Sequence, residues 1–172
     1  LCIVISFLIF KYFGFQSLII SILMPFTLYL FLITIKDLFL KKQMHFSQKI
    51  SHFGFSFLIL SILLNGIFSS EIVTNLKEGE KIVFKENTII FNSLEESNGK
   101  NYKSLIGNFE IRNKNYSINL KPELRIYNQP SIITSEADIK TSLFYDKFLV
   151  MNSVKNSEYF NVRYQVKPFM IW

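Results

Sequence analysis

The sequence predicts membrane α-helical spans joined to an all-β extracytoplasmic domain, a sandwich or small barrel. Three observations carry that reading. Apolar residues crowd ahead of position 70, in uncharged runs of membrane-spanning length. Basic residues gather in the segment between two of those runs. After position 70 the pattern changes to short β-branched and aromatic stretches separated by turn residues.

The membrane region is expected over residues 1–70, with lipid as its first partner. Residues 1–10, LCIVISFLIF, read as the tail of one helix, closed by a turn at Gly14. No basic segment precedes this run and no small-residue cleavage site follows it, which argues against a signal peptide. Residues 17–35 give 19 positions without charge, a second span, with Pro25 predicting a kink rather than a break. Residues 36–51 form a loop in which Lys36, Lys41, Lys42 and Lys49 face only Asp37. Short basic loops stay on the inner side of a membrane. Leu38, Phe39, Leu40, Met44 and Phe46 would suit an interfacial helix within it. A third span is expected over residues 52–69. Its uncharged stretch, Phe53 to Phe68, covers roughly 24 Å at about 1.5 Å per residue, and Ser51, Asn65, Ser69 and Ser70 extend it into the interfaces. Asn65 either bonds across helices or caps this one. Residue 71 onward then lies outside.

Charge supports this division. The chain carries a net +6, yet residues 71–168 hold 14 Lys and Arg against 12 Asp and Glu. The basic excess belongs to the loop and to Lys11, which excludes nucleic acid as a partner. Cys2 is the single cysteine, so neither an internal disulfide nor a CxxC redox pair exists.

Residues 71–168 predict the extracytoplasmic β-domain. EKIVF, NTIIFNS, NYKSLIG, NFEIRN, NYSINLK, ELRIYN, LFYDKFLVM and EYFNVRYQV read as strands. Turn signals stand between them at Gly79, Gly99, Asn113 and Pro130. Residues 169–172 begin a further apolar stretch, read as the start of another transmembrane helix. The chain reads as a fragment of a larger multi-span protein.

Few residues carry chemistry. His52 heads the third span, where an imidazole in dry surroundings can ligate haem iron or simply hydrogen-bond at the interface. His45 lies seven residues earlier and would share its helix face. Gly54 allows a flat ligand or another helix to approach the backbone. PELRIY offers Glu123 and Arg125 and TSEADI offers Glu136, a carboxylate pair of the kind that acid–base work uses. Residues 71–172 contain no histidine and no cysteine, which favours structural pairing over acid–base work and leaves the domain without catalysis of its own.

Seven motifs in order resemble the C-terminal part of the CcmF/NrfE family, the haem lyase membrane component of cytochrome c maturation. They are SHFGF heading the third span, NGIFSS at its exit, NLKEGEK at the start of the outer domain, NYKSLIGNFEI, PELRIY, TSEADI, and VKPFMIW at the return to the membrane. Leu124 stands where the family has lysine, and Asp146, Lys147 and Phe148 stand where it has Asp-Leu-Tyr. The family's tryptophan-rich haem-handling segment is not in this chain.

The resemblance implies that His52 is an axial ligand of haem b, and so a ligand to its iron, and that Gly54 permits close approach of haem or helix. It implies partners: the haem-carrying chaperone CcmE, a CcmH-type thiol protein, and apocytochrome c. It implies assistance in covalent haem attachment by a fragment not catalytic alone. The location implied is a bacterial inner membrane with the β-domain in the periplasm, with the mitochondrial inner membrane as alternative. The rival reading is a non-catalytic, membrane-tethered β-domain acting as a scaffold, adhesion or docking module.

Overall fold

A computed structural model of the chain describes residues 3–4, 7–8, 11, 18–40, 44–155 and 157–170. It divides into two units, one of Leu1–Ser69 with Pro168–Trp172 and one of Ser70–Lys167. The helix expected over residues 1–10 falls largely outside the described residues, as do residues 171–172; Phe169 and Met170 form a turn.

In the first unit, α1 spans Leu18–Leu40 and α2 spans Phe46–Phe68. Both contain stretches long and apolar enough to cross a membrane, Ile22–Leu40 and Phe46–Phe68. The helices overrun the expected span ends in both directions of the loop. α1 continues past Ile35 to Leu40, and α2 begins six residues before His52. Charge limits what a bilayer core accepts, not what a helix accepts, and Lys, Leu and Gln are good helix formers. Leu38, Phe39 and Leu40 therefore prolong α1 rather than form a separate interfacial helix.

The two helices pack through Met24 and Leu60, with Leu28, Phe31, Leu63, Leu64 and Ile67 around them. Phe31, Phe53 and Phe57 stack with centroids 5.8 to 5.9 Å apart. Where no water drives association, close fit and polar bonds across the interface do. Thr34 and Ser56 supply one such bond, buried, at 2.6 Å between hydroxyl oxygens. Ser61 and Thr27 turn their hydroxyls back to the Phe57 and Leu23 carbonyls, which hides the donors within each helix.

The second unit is a sandwich of two antiparallel sheets. Its strands are β1 (Ser70–Leu76), β2 (Lys81–Phe84), β3 (Asn87–Asn98), β4 (Tyr102–Arg112), β5 (Ser117–Leu120), β6 (Glu123–Tyr127), β7 (Ile132–Glu136), β8 (Asp138–Thr141), β9 (Tyr145–Ser153) and β10 (Phe160–Pro168). One sheet runs β1-β10-β9-β8; the other runs β2-β3-β4-β6-β7, with β5 also on β4. The predicted turns fall at Gly79, Gly99, Asn113 and Pro130. Gly79 has φ +84, a left-handed conformation that glycine adopts without strain.

Four elements differ from the sequence reading. NYKSLIG and NFEIRN form one strand, β4, running through Gly107. A Cβ on Gly107 would stand 2.6 Å from the Phe109 ring and 2.9 Å from the Met151 sulfur, so this glycine makes room for core side chains instead of a turn. β1 starts at Ser70, directly after the last helical turn, and pairs Ser70 with Val166 and Leu76 with Phe160. β7 and β8 are short strands that the polar run SEAD masks in sequence.

The core lies between the sheets. Phe91 and Phe109, opposite each other on β3 and β4, stack at 4.4 Å with 12° between planes, and Phe160 meets Phe91 edge-on at 5.8 Å. Ile89, Ile111, Leu120, Leu124, Leu149, Met151, Val162 and Tyr164 complete it. A bulge between Phe91 and Ser93 shifts the register. It lets both Phe91 and Leu94 reach the core from one strand.

Candidate functional site

α2 delivers His52 to an open face. The residues that meet α1 on this helix, Ser56, Leu60 and their neighbours, occupy one side. His52, Phe55, Ile62 and Gly66 are exposed, at spacings that set them in one stripe beside it. That stripe is an imidazole followed by an aromatic ring and an aliphatic surface, with no partner from α1 covering it. His45 caps the N-terminus of α2 with extended backbone and no side-chain capping bond, and is also exposed.

Gly54 is exposed with nothing within 4 Å of where a Cβ would stand. Two helical residues turn the chain by about 200°. Gly54 therefore opens the side of α2 facing away from His52.

The donor set suits one axial position of a haem and not two. A neutral imidazole on a dry, apolar face is a good donor to haem iron. Among the described residues no group of three or more His, Cys, Asp and Glu is placed to hold a metal ion.

Asn65, left open between two roles, has both. Its Nδ2 donates to the Pro168 carbonyl at 2.7 Å, and its Oδ1 accepts from the Ser69 hydroxyl at 3.0 Å. The last turn of α2 is thereby tied to Pro168, the last residue of β10.

In the β-domain the carboxylates of PELRIY and TSEADI come together. Glu123 and Glu136 are register partners on β6 and β7. Arg125 donates to Glu123 at 3.0 Å and lies 3.9 Å from Glu136, with its guanidinium 5.1 Å from the Tyr102 ring centre. Hydrogen bonds to Glu123 first and to Tyr127 next hold the guanidinium still more firmly protonated than usual. All five side chains stand on the face of the sheet away from Leu124 and the core. An arginine already engaged on two sides orders a surface; it does not act as an acid or base. Their coming together follows from strand alternation once β6 and β7 are paired, which the sequence alone did not specify.

Lys147 was singled out only as a departure from a family motif. Its side chain is buried, with Nζ 3.8 Å from the Tyr116 ring centre and 5.2 Å from that of Tyr145. Stacking an ammonium between electron-rich faces offsets its lost hydration. Periodicity cannot reveal this, because Lys147 falls at an inward position of β9 that a hydrophobic residue would normally fill.

The comparisons with known proteins bear on the whole arrangement. Residues 67–168 match the family model described as the CcmF C-terminal beta-sandwich. The chain belongs to the CcmF family.

Among relatives, a cytochrome c-type biogenesis protein CcmF of Pseudomonas aeruginosa is 23% identical over 129 residues, 74% of this chain and 20% of that protein. The cytochrome c-type biogenesis protein ccl1 of Rhodobacter capsulatus is 32% identical over 97 residues, 56% of this chain and 15% of that one. The solved structure of a cytochrome c heme lyase CcmF aligns with a TM-score of 0.71 at 15% identity, covering 99% of this chain and 30% of that chain. That likeness extends the shared fold of two apolar helices and a β-sandwich to nearly the full chain. The chain spans about a fifth of the length of the curated CcmF relatives it matches.

Proposed function

We propose that this chain is the C-terminal portion of a haem lyase subunit of cytochrome c maturation, and that His52 is an axial ligand to a haem b within the membrane. The supporting observation is the open stripe on α2, where an imidazole heads an apolar surface that α1 leaves uncovered. A haem b held there by His52 would supply one-electron chemistry. The part played by this chain's own residues is limited and definite. His52 presents an imidazole nitrogen, Phe55 and Ile62 exclude water beside it, and Gly54 on the other side admits a neighbouring helix.

The β-domain, in this reading, lies on the outer side of a bacterial inner membrane and faces the periplasm, with the mitochondrial inner membrane as the alternative. The basic segment between α1 and α2 supports that orientation. There the domain stands beside the partners of attachment: the haem-carrying chaperone, the CcmH-type thiol protein and apocytochrome c. The rival reading, a tethered scaffold without haem, draws on the ordered Glu123–Arg125–Glu136 surface, which suits docking without chemistry.

Absorption spectra of the full-length protein separate the two. His52→Ala is expected to abolish or shift the b-type band, while His45→Ala leaves it in place. An unchanged band in the His52 variant would remove the ligand assignment and favour the scaffold.

A further inference from the structure

We propose that the outer face of the sandwich, where β3, β4 and β5 adjoin, carries a carboxylate-binding pocket. It is formed by the carboxamides of Asn92, Asn108 and Asn119 together with Lys121.

The pocket arises because the sheet is interrupted at one level on both sides of β4. On one side is the bulge in β3. The register passes from Phe91 opposite Phe109 to Ser93 opposite Asn108, so Asn92 is the extra residue without a partner. Asn92 and Ser93 then stand together across from a single residue, Asn108. On the other side, β5 pairs with β4 only as far as Phe109 and Leu120, and β6 only as far as Ile106 and Glu123. The chain crosses from β5 to β6 through Lys121 and Pro122, where the Gly107 N–H donates to the Pro122 carbonyl at 3.0 Å. Between bulge and crossing lies a pocket of about 210 Å³, lined by Asn92, Asn108, Phe109, Asn119, Leu120 and Lys121.

Its chemistry is one-sided. Adjacent strands are about 4.8 Å apart, so carboxamides on β3, β4 and β5 form a short row around one small volume. The Asn108 Nδ2 donates to the Ser93 hydroxyl at 3.0 Å, which orients that carboxamide and leaves its second N–H to the pocket. Among the described residues, the exposed carboxamides of Asn92 and Asn119 bond to no other side chain. The Lys121 backbone is fixed by its N–H, which donates to Asp138 Oδ2 at 2.6 Å, while its ammonium makes no ion pair among the described residues. Glu110, opposite Asn119 in register, is engaged by Arg112 and Ser117. No carboxylate lines the pocket, and Lys121 carries its only formal charge. Amide N–H groups beside a single ammonium suit a ligand that only accepts. An ionised carboxylate is such a group, with two oxygens and about four lone-pair sites.

Size narrows the class. At about 30 Å³ for each water of the liquid, the pocket holds roughly seven non-hydrogen atoms. That admits the carboxylate end of a side chain, a polypeptide terminus or a small organic acid, and it excludes a macrocycle.

Titration of the whole chain tests the assignment. The isotope-labelled protein in detergent micelles is titrated with N-acetylglycine while the carboxamide signals of Asn92, Asn108 and Asn119 are followed by NMR. N-acetylglycinamide, similar in size but without the charge, is the control. Saturable shifts of these signals by the acid, with about tenfold weaker binding of the amide, are expected. Asn119→Asp places a charge of the wrong sign at an exposed position and is expected to weaken binding about tenfold, read from the remaining signals. Lys121→Gln is expected to weaken it about threefold. Circular dichroism confirms the sheet in each variant, and Asn92→Asp replaces either one that does not fold. No saturable shift, equal binding of acid and amide, or unchanged affinity in the variants overturns the proposal. Acetate distinguishes the source, and either result upholds the site: weaker binding than N-acetylglycine assigns the carboxylate to a polypeptide, and equal binding assigns it to a free small acid.

Discussion

The two units of this protein solve opposite problems. The sandwich buries Phe91, Phe109, Ile111, Leu149 and Tyr164 completely between its own sheets and leaves its polar rows to water. The helical pair leaves Phe26, Tyr29, Phe39, Phe55, Leu58 and Ile62 exposed and buries little beyond Met24 and Leu60 among its apolar side chains. One unit is finished by this chain; the other is finished by what surrounds it. The proposed haem ligand lies in the unfinished one, where a ring and further helices have room to pack. Stability and function are thus expected to respond to different residues.

The largest effect that would sharpen this contrast is in the sandwich. Phe109→Ala removes a stacked ring from the centre of the core and is expected to cost about 3–5 kcal/mol of domain stability. Leu60→Ala is expected to cost less, because lipid solvates apolar groups that water would not. Denaturant unfolding followed by circular dichroism, with helix-pair dissociation followed separately in detergent, would read the two. A comparable loss from both would show that the helical pair carries a water-driven core of its own.

A middle-sized effect is expected at Gly107. Its added methyl would press on Phe109 and Met151, both buried, so Gly107→Ala is expected to destabilise by about 1–3 kcal/mol through overpacking. Gly54→Ala, where nothing lies within 4 Å, is expected to leave this chain's own packing unchanged. The thermal midpoint of each variant checks the pair, and an equal shift would contradict the difference between the two surfaces.

The smallest effect concerns Tyr164. Its hydroxyl is buried without a hydrogen-bond partner, and burial raises the phenol's pKa well above the ordinary 10.0. Because the folded state holds this proton more tightly than the unfolded state, its contribution is complete below pH 10 and is lost as pH rises through the higher folded value. Tyr164→Phe should leave neutral-pH stability within about 1 kcal/mol or raise it, since it removes an unsatisfied group. It should also reduce the alkaline loss. Unfolding midpoints measured from pH 8 to 11 would show it; a large loss at neutral pH would mean the hydroxyl has a partner after all.

Much of this architecture was legible because its signals are local. Uncharged length marked both described helices, and Gly79, Gly99, Asn113 and Pro130 marked turns that the sandwich uses. Where the reading failed, the deciding contact was distant. Gly107 looks like a break until Met151 is placed against it from the other sheet. SEAD hides β7 and β8 because their strand character comes from pairing with β6 and β9, not from their side chains. The overrun of α1 to Leu40 shows that a span and a helix end for different reasons. His52 stands out in the sequence for its position, and its exposure follows from α1 covering the neighbouring stripe instead. Lys147 escaped notice because only the folded chain sets Tyr116 and Tyr145 around it.

Ser70 and Val166 are paired neighbours, and Asn65 grips the Pro168 carbonyl just beyond them. The sandwich therefore enters and leaves through a doorway two strands wide. A module with so narrow a footprint can change size or loops without disturbing the spacing of the two segments that lead into and out of it.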